Sequence, residues 1–506
     1  MTILAWCKIV CFKKAKPAWP GGWPWRRATP YCPAGLGKSD YASRKIVCFE
    51  RAKPLLCCAV LVLFFGCKPQ EEILSSRPEP LTFSENAIVF DTVFTALPNV
   101  TQQFHVRNPN RNAVLIESVR LGGGGASPYQ VLVGGRAISG MPPVQLRGGD
   151  SLQVLVKVRI PPRDSANAFV VYDSLLFQIR DTWQNVKLLA WGQDAVFVKN
   201  SSIQCNETWR AGKPYILYDS VIVPAGCQLT MQPGTRIYGF NNAALIVEGT
   251  LHANGTAQNP IIFTGFRQDG AYREAPGVWQ GIGFRGPSQG NRLDFVQIRN
   301  AVNAVHVDIP DENAQPDLVV QNSVIQYARQ AGLLAIDSDV QMVNTQITQC
   351  GEFHFAGVGG GNYQLLHCTL VGEPYLMQRE NPALLFANFV RVNGRKRQNG
   401  LSCEVKNSVV WGVLPEEVGL LQTAGSDFSW KAGNNLLKTT PETVATFGSG
   451  TGSILGRNPK FVSMARLNFR PDTLSPLIDA GIPLNIPRDI TGKPRDAKPD
   501  IGAYER

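Results

Sequence analysis

Short apolar runs dominate the pattern of the chain beyond residue 80. Runs of four to eight residues rich in Val, Ile, Thr and Phe alternate with clusters of Gly, Asn, Asp and Pro, and long amphipathic helical patterns are nearly absent. Apolar and polar positions alternate most clearly over residues 152–160, LQVLVKVRI, which gives a strand one apolar face. The pattern therefore predicts an all-β protein.

Residues 81–196 contain about seven strand candidates, separated by turn signals in the way of a β-sandwich. The segments QFHVRN (103–108), IESVRLG (116–122) and GDSL (149–152) resemble immunoglobulin-like domains of the ASH/DUF1573 kind. The resemblance implies a spacer or a binding module, because this fold by itself supplies no chemistry.

Residues 205–455 show a repeat. The aliphatic residues that end successive strand candidates are spaced by 27, 22, 23 and 40 residues, and they are Ile298, Ile325, Ile347, Leu370 and Val410. A repeat of 22 or 23 residues fits one coil of a right-handed parallel β-helix, and the longer spacings mark coils with loop insertions. The Leu-x-x-Leu-x-Leu spacing of leucine-rich repeats is missing. We therefore expect an Ig-like β-sandwich followed by a β-helix.

A polar residue recurs three positions before four of these aliphatics. It is Asn322, Asn344 and Asn407 in three coils and His367 in another. Asn tolerates the left-handed backbone conformation, and its amide can bond the equivalent side chain in the next coil, about 4.8 Å away. The three Asn residues are therefore predicted to form a structural ladder at one corner of the solenoid.

The C-terminal residues 456–506 carry the most specific motifs. NPKFV (458–462), NFR (468–470), SPLIDAG (475–481) and DIGAYE (500–505) resemble the ending of a family of bacterial parallel β-helix proteins known as choice-of-anchor Q. The resemblance implies a surface or secreted protein but no particular activity. We expect this segment to cap the exposed strand edge of the last coil.

An apolar run from Leu55 to Phe65 follows two basic residues and ends at Gly66 and Cys67. It is shorter than the roughly 20 residues of a membrane-spanning helix, so it predicts a signal peptide at 47–66. The ending FFGC resembles the lipobox of bacterial lipoproteins, which implies lipid on Cys67 and a tether over 67–80. An ordinary signal peptide or a buried strand remains an alternative.

Residues 1–46 do not fit a signal peptide. KIVCFKKAKP (8–17) recurs as KIVCFERAKP (45–54), with eight of ten positions identical. We interpret 1–46 as a mis-called extension of the reading frame, and a disordered leader is the alternative.

The net charge and the cysteine spacings argue against some classes of function. Residues 1–66 carry 11 Lys or Arg and 2 Asp or Glu, a net of +9, and the whole chain is +11, which leaves +2 for the remainder. This balance argues against a nucleic-acid partner. The Cys spacings fit no zinc site, and isolated buried cysteines are favoured over a Cys205–Cys227 disulfide.

Acidic residues are the candidates for chemistry. Asp308 and Asp337 lie on successive coils and are the candidate catalytic carboxylates, and Asp308, Asp311 and Asp339 are the candidate metal ligands. Solvated loop charges are the favoured interpretation of this cluster. Aromatic residues such as Trp279 are expected in the core rather than on a sugar platform. No cofactor is implied.

We expect an outer-membrane lipoprotein of the cell envelope, exposed at the cell surface, whose β-helix binds glycan or another surface component. Its partners would be the membrane, through the lipid on Cys67, and a polysaccharide. The alternatives are a polysaccharide lyase or glycoside hydrolase acting in a β-helix groove, and a purely structural envelope protein. An enzyme is the less favoured hypothesis, because no paired carboxylates stand at fixed coil positions.

The lipobox resemblance yields a direct prediction. A diacylglyceryl group with a further acyl chain anchors a protein stably, whereas one chain binds only marginally. Cys67→Ser should therefore release the protein from membranes or leave the precursor uncleaved, as measured by membrane fractionation and precursor size. Unchanged fractionation and processing would refute the assignment.

Overall fold

A computed structural model describes residues 11–12, 73–95, 101–268, 270–310, 313, 315–372 and 378–506. The predicted all-β class, an Ig-like sandwich followed by a right-handed parallel β-helix, is confirmed. Cys67 and the signal segment lie outside the described residues, as does all of the leader except strand β1 (Cys11–Phe12). Within the described ranges, no helix is long and apolar enough to cross a membrane.

The sandwich is built from eleven strands and a 3₁₀ turn, Gly124–Ala126. The strands are β2 (Thr82–Phe83), β3 (Ala87–Phe94), β4 (Thr101–Arg107), β5 (Val114–Ile116), β6 (Ser118–Leu121), β7 (Tyr129–Val133), β8 (Arg136–Ala137), β9 (Val144–Leu146), β10 (Ser151–Val158), β11 (Phe169–Ile179) and β12 (Thr182–Gln193).

The sandwich strands form two main sheets. One has the order β2-β4-β10-β7-β8 and the other β3-β12-β11-β6, with β5 and β9 paired separately. The period-2 pattern noted in the sequence places Val154, Val156 and Val158 of β10 inward, each fully buried. The core thus consists of the apolar faces of the two sheets.

The β-helix follows directly. Its first strands are β13 (Val196–Ser202), β14 (Glu207–Trp209), β15 (Tyr215–Val223), β16 (Gln228–Met231), β17 (Arg236–Val247), β18 (Thr250–Asn254), β19 (Ile261–Gly265), β20 (Gly281–Arg285), β21 (Asn291–Asp294), β22 (Val296–Arg299), β23 (Val305–Asp308), β24 (Leu318–Gln321), β25 (Val324–Ala328) and β26 (Ala331–Ile336). A 3₁₀ turn, Gly270–Arg273, precedes β20.

The remaining strands complete the solenoid and the C-terminal segment. They are β27 (Val340–Val343), β28 (Gln346–Cys350), β29 (Phe353–Val358), β30 (Gly361–Leu366), β31 (Thr369–Gly372), β32 (Leu384–Ala387), β33 (Phe389–Val392), β34 (Arg395–Gln398), β35 (Leu401–Lys406), β36 (Val409–Gly412), β37 (Val418–Leu421), β38 (Phe428–Gly433), β39 (Leu436–Leu437), β40 (Ile454–Leu455), β41 (Phe461–Ser463) and β42 (Asn468–Pro471). One α-helix, α1 (Pro441–Phe447), precedes β40.

Each coil contributes strands to three parallel faces. Face A is the sheet β14-β16-β18-β21-β24-β27-β30-β35-β38. Face B contains β19, β22, β25, β28, β31, β36, β39 and β40, and face C contains β20, β23, β26, β29, β32 and β37. Inward side chains stack from coil to coil; on face A, register aligns the buried residues Ala253, Leu293, Val320, Met342, Leu365 and Val405.

The corner between faces A and B holds the polar ladder. Asn322, Asn344, His367, Asn407 and the unpredicted Asn434 all have positive φ, between 46° and 52°. The Asn344 amide Nδ2 donates to Asn322 Oδ1 at 3.1 Å, and Asn407 Nδ2 lies 2.9 Å from His367 Nε2. The side chains therefore tie consecutive coils together in one register.

The C-terminal residues 457–506 form a strap along this corner. Asn434 Nδ2 donates to Ala480 O, Asn407 Nδ2 to Ile482 O, and Asn344 Nδ2 to Arg488 O, at 3.1, 2.7 and 2.8 Å. The segment thus runs back along the side of the solenoid, a path that differs from the expected cap over the last strand edge. The strap is braced internally by a buried ion pair of 2.9 Å between Arg495 and Glu505.

Aromatic residues pack on the β-helix at two further places. At the C-terminal end, Phe447 of α1 packs on the core, 5.5 Å from the ring of Phe428. Near the first coils, Phe94 of the sandwich packs against the rings of Tyr238 and Phe266, in a cluster separate from the core. The expectation of isolated cysteines is wrong for one pair, since Cys205 and Cys227 form a disulfide, whereas Cys350, Cys368 and Cys403 are free and buried.

The corner geometry predicts the effect of Asn344→Leu. Asn344 donates to two oxygens and accepts a bond of 2.9 Å from Arg495 Nη2, so Leu leaves buried partners unsatisfied. We expect the free energy of unfolding to fall by about 3 kcal/mol or more. Asn393→Leu is the matched control for backbone strain, since Asn393 is exposed and has φ 52°. Equal losses in urea titrations of the two variants would contradict the ladder's role.

His367 predicts a pH dependence. Burial, and then the charge of Arg495, lowers the pKa of His367 to about 3. The folded state therefore keeps His367 neutral, whereas the unfolded chain takes up a proton below pH 6.5, so stability present above that pH is lost as the pH falls towards 3. His367→Asn restores the ladder residue and removes this proton uptake. Between pH 7 and 5 the variant should lose about 2 kcal/mol less stability than the wild type. The free energy of unfolding of both proteins is measured by urea unfolding at each pH. If the two free energies fall in parallel between pH 7 and 5, the prediction is contradicted.

Candidate functional site

The outer surface of face A carries a column of aligned polar side chains. Strand register places one outward residue per coil in line, and we name His252, Arg292, Val319, Gln341, Gln364, Glu404 and Lys431 the outer column. All but Val319 are polar or charged. Because adjacent strands are about 4.8 Å apart, the column presents hydrogen-bonding groups at a regular spacing along the solenoid axis.

Hydrogen bonds hold the central part of the outer column. Gln341 Nε2 donates to Gln364 Oε1 at 2.6 Å, and Gln364 Nε2 donates to Glu404 Oε2 at 2.7 Å. Glu404 also pairs with Lys406 at 2.6 Å. The hydrogen bonds from Lys406 and Gln364 lower the pKa of Glu404, so this carboxylate is a charged acceptor at neutral pH.

Further upstream, Arg292 is held outward by two partners. Its Nη2 donates to Gln321 Oε1 at 2.8 Å and pairs with Asp294 at 3.1 Å. His252 Nε2 lies 3.2 Å from the Gly290 carbonyl. The positions of these side chains are therefore set before any ligand arrives.

Two depressions flank the outer column. One, of about 360 Å³, is lined by Asp339, Gln341, Asn362, Gln364, Ser402, Glu404 and Lys431. The other, of about 700 Å³, is lined by His252, Arg292, Asn313, Gln315 and Asp317 among others. Pro316, from the insertion that the long coil spacing predicted, borders both. The depressions thus follow one another along face A.

Extra chain borders face A at both corners. The strap bonds the ladder at the A–B corner. The β33–β34 hairpin leaves the solenoid near the C–A corner and packs on the outside of face C. The outer surface of face A lies between these two borders.

The candidate acids are held by separate partners. Asp308 pairs with Arg397 at 2.6 Å, and Asp337 Oδ2 accepts a bond of 2.7 Å from Asn399 Nδ2. Asp339 accepts bonds from the backbone and the side chain of Asn362, and it lines the smaller depression. Asp311 lies outside the described residues. No group of three or more His, Cys, Asp or Glu in the described ranges could hold a metal ion.

Aromatic residues considered as sugar platforms are mostly in the core. Trp279 is 1% exposed and stacks on Phe263, and Phe353, Phe355 and Tyr363 are also buried. The indole N–H of Trp279 also has a partner inside the protein, since it donates to the Arg299 carbonyl at 2.7 Å. The outer surface of face A therefore presents mainly polar side chains.

His354 lies in a closed polar cluster at the B–C corner. Arg379 pairs with Glu417 at 2.7 Å, and both side chains are at most 4% exposed. Burial, followed by the charge of Arg379, holds the pKa of His354 well below its usual range, so the ring stays neutral. Glu417 also accepts the backbone N–H groups of Ala383 and Leu414. The cluster braces two insertions and is inaccessible to a substrate.

Comparison with known proteins supports the fold. Residues 201–306 match the family model described as a pectate-lyase-like β-helix domain. None of the curated proteins matches the sequence.

Solved structures resemble parts of the chain at low identity. The E. coli chaperone DraB is 12% identical with a TM-score of 0.17, covering 23% of this chain, and the chain spans only 57% of DraB. The ASH/PapD-like domain of human CEP192 is 12% identical with a TM-score of 0.16, over 26% of this chain and 99% of that domain. The Dettilon tailspike protein is 13% identical with a TM-score of 0.24, over 52% of this chain and 62% of the tailspike.

Proposed function

We propose that the protein is a membrane-anchored lipoprotein of the cell envelope whose face A binds a polysaccharide chain. The observation that carries the proposal is the outer column, in which amide, carboxylate, guanidinium and ammonium groups follow one another coil by coil. A sugar chain laid along the solenoid axis would meet a new donor or acceptor at each coil. Lipid on Cys67 would hold the protein at the membrane, with the sandwich as a spacer.

The polar groups of face A suit hydroxyl recognition. Gln341 and Gln364 are amides that both donate and accept, and Glu404 is a charged acceptor. Hydrogen bonds among these side chains restrict their rotamers, so less conformational entropy is lost when a ligand binds. The arrangement therefore favours binding of a neutral or mixed-charge sugar surface.

A glycoside hydrolase is the second candidate, because Asp339 and Glu404 line the same depression. Hydrolysis needs one carboxyl group that keeps its proton at neutral pH and a second carboxylate. Glu404 does not meet the first requirement, since Lys406 and Gln364 lower its pKa. Asp339 is engaged by Asn362. These contacts favour binding over turnover.

Substitution of Gln364 tests the proposal. Gln364→Ala removes the central amide of the outer column, together with its bonds to Gln341 and Glu404. We expect affinity for the recognised polysaccharide to fall about threefold to tenfold, the effect of one lost hydrogen bond. The measurement is affinity electrophoresis and calorimetry on a panel of neutral and acidic polysaccharides.

The matched control is Gln153→Ala, because Gln153 Nε2 bonds Gln103 Oε1 in a similar exposed pair on the sandwich. Equal affinities for Gln364→Ala and Gln153→Ala would contradict the proposal. Sugar release by the wild type that is lost in Glu404→Gln, Asp308→Asn or Asp337→Asn would favour the hydrolase or lyase instead.

A further inference from the structure

The β33–β34 hairpin is a rigid addition to the outside of face C. Asn393 and Gly394 form its turn with φ 52° and 78°, as the tight two-residue turn of a hairpin requires. Val390 is fully buried on apolar side chains of β26, β29 and β32. Arg397 anchors the inner side by its ion pair with Asp308. The hairpin is thus held in place by both apolar and ionic contacts.

Its outward surface carries positive charge. Arg391 stands directly opposite Lys396 across the two strands. Arg395 pairs with Val392 and therefore lies on the other face of the hairpin. Arg391 and Lys396 are exposed, and neither forms an ion pair with a described residue. Lys396 lies 5.8 Å from the Phe389 ring, which offers only a weak attraction. Like charges directly opposite each other in a sheet are destabilising.

This concentration of charge is local. Four cations fall within residues 391–397, whereas residues 67–506 have a net charge of only +2. Packing on face C requires Val390 and its apolar neighbours, and Asp308 engages Arg397 alone. Neither contact involves Arg391 or Lys396, and the repulsion between these two charges destabilises the hairpin.

The base of the hairpin adjoins face A. Gln398 Nε2 donates to the Ala424 carbonyl at 2.7 Å, and Asn399 bonds Asp337 at the C–A corner. Strand β35 begins at Leu401, and its next residue, Ser402, lines the smaller depression. The base of the hairpin thus continues directly into face A.

We propose that Arg391 and Lys396 bind the anionic groups of an acidic polysaccharide whose backbone lies on face A. The inference rests on the proposed function and adds the class of ligand, a glycan that bears sulfate or carboxylate groups. Arg offers a planar fork of donors to such groups, and Lys adds a point charge. An anion between Arg391 and Lys396 also relieves their mutual repulsion.

Three polymers with one backbone provide the test: neutral dextran, carboxymethyl-dextran and dextran sulfate. With the full-length protein in detergent, we expect at least tenfold tighter binding of an anionic polymer than of dextran, weakening as salt rises. The double variant Arg391→Gln/Lys396→Gln should lose most of this preference, about tenfold in affinity. It should melt no lower than the wild type, because a repulsive pair is removed. The two anionic polymers separate sulfate from carboxylate recognition.

Arg107→Gln/Arg136→Gln is the matched control, since both residues are exposed on the sandwich. Lack of preference for anionic polymers in the wild type, or equal losses in the two double variants, would overturn the inference. Wild-type binding to phosphatidylglycerol vesicles but to none of the dextrans would also overturn it, in favour of a lipid surface. If the hairpin variant binds as the wild type does while Gln364→Ala is weakened, the hairpin inference fails and the function proposed for face A stands. If neither substitution matters, both fail.

Discussion

Registration of one coil on the next at the A–B corner is the constraint on which the rest of this structure depends. A parallel ladder tolerates sliding, because its backbone bonds look alike at every register. From Asn322 to Asn434, each coil turns the A–B corner through a residue with positive φ, and the polar side chain of that residue bonds its neighbour or the strap. A slip by one residue would place a different side chain in the corner and would turn the apolar stack outward.

The strap strengthens this constraint. Arg495 joins Glu505 to Asn344, and Asp489 accepts backbone N–H groups of Thr491, Lys493 and Glu505. The ladder is thereby enclosed between coil and strap, where its amides are withdrawn from water. Buried polar groups of this kind stabilise only when all are satisfied, which gives one arrangement of the coils a strong advantage.

Fold class could be predicted because it depends on local pattern. The period-2 alternation of residues 152–160 and the repeat of 22 or 23 residues each indicate which side chains point into the core. The corner residues were visible for the same reason, since the left-handed conformation favours Asn. Downstream of residue 290, each member of the outer column, including Glu404, stands three positions before a residue at the A–B corner. The spacing of the corner residues in the sequence therefore also predicts the positions of the outer column.

The rest depends on contacts between distant parts of the chain. Nothing near Asp308 indicates that Arg397, 89 residues away, neutralises it. The Cys205–Cys227 bond depends on the stacking of the first two coils, which spacing alone does not reveal. The path of the strap was missed because its motifs suit a cap or a side strap equally well. Long-range partners of this kind follow from the three-dimensional course of the solenoid.

The position of the strap has a consequence for biogenesis. Arg495 and Tyr504 bond residues 151 and 158 positions earlier, Asn344 and Gln346. Coils can stack one by one as they emerge, but these closing bonds require the last dozen residues of the chain. Contacts of such sequence separation form late in folding. The stacked coils therefore remain without these closing bonds until residues 495–506 have been synthesised and have folded against the solenoid.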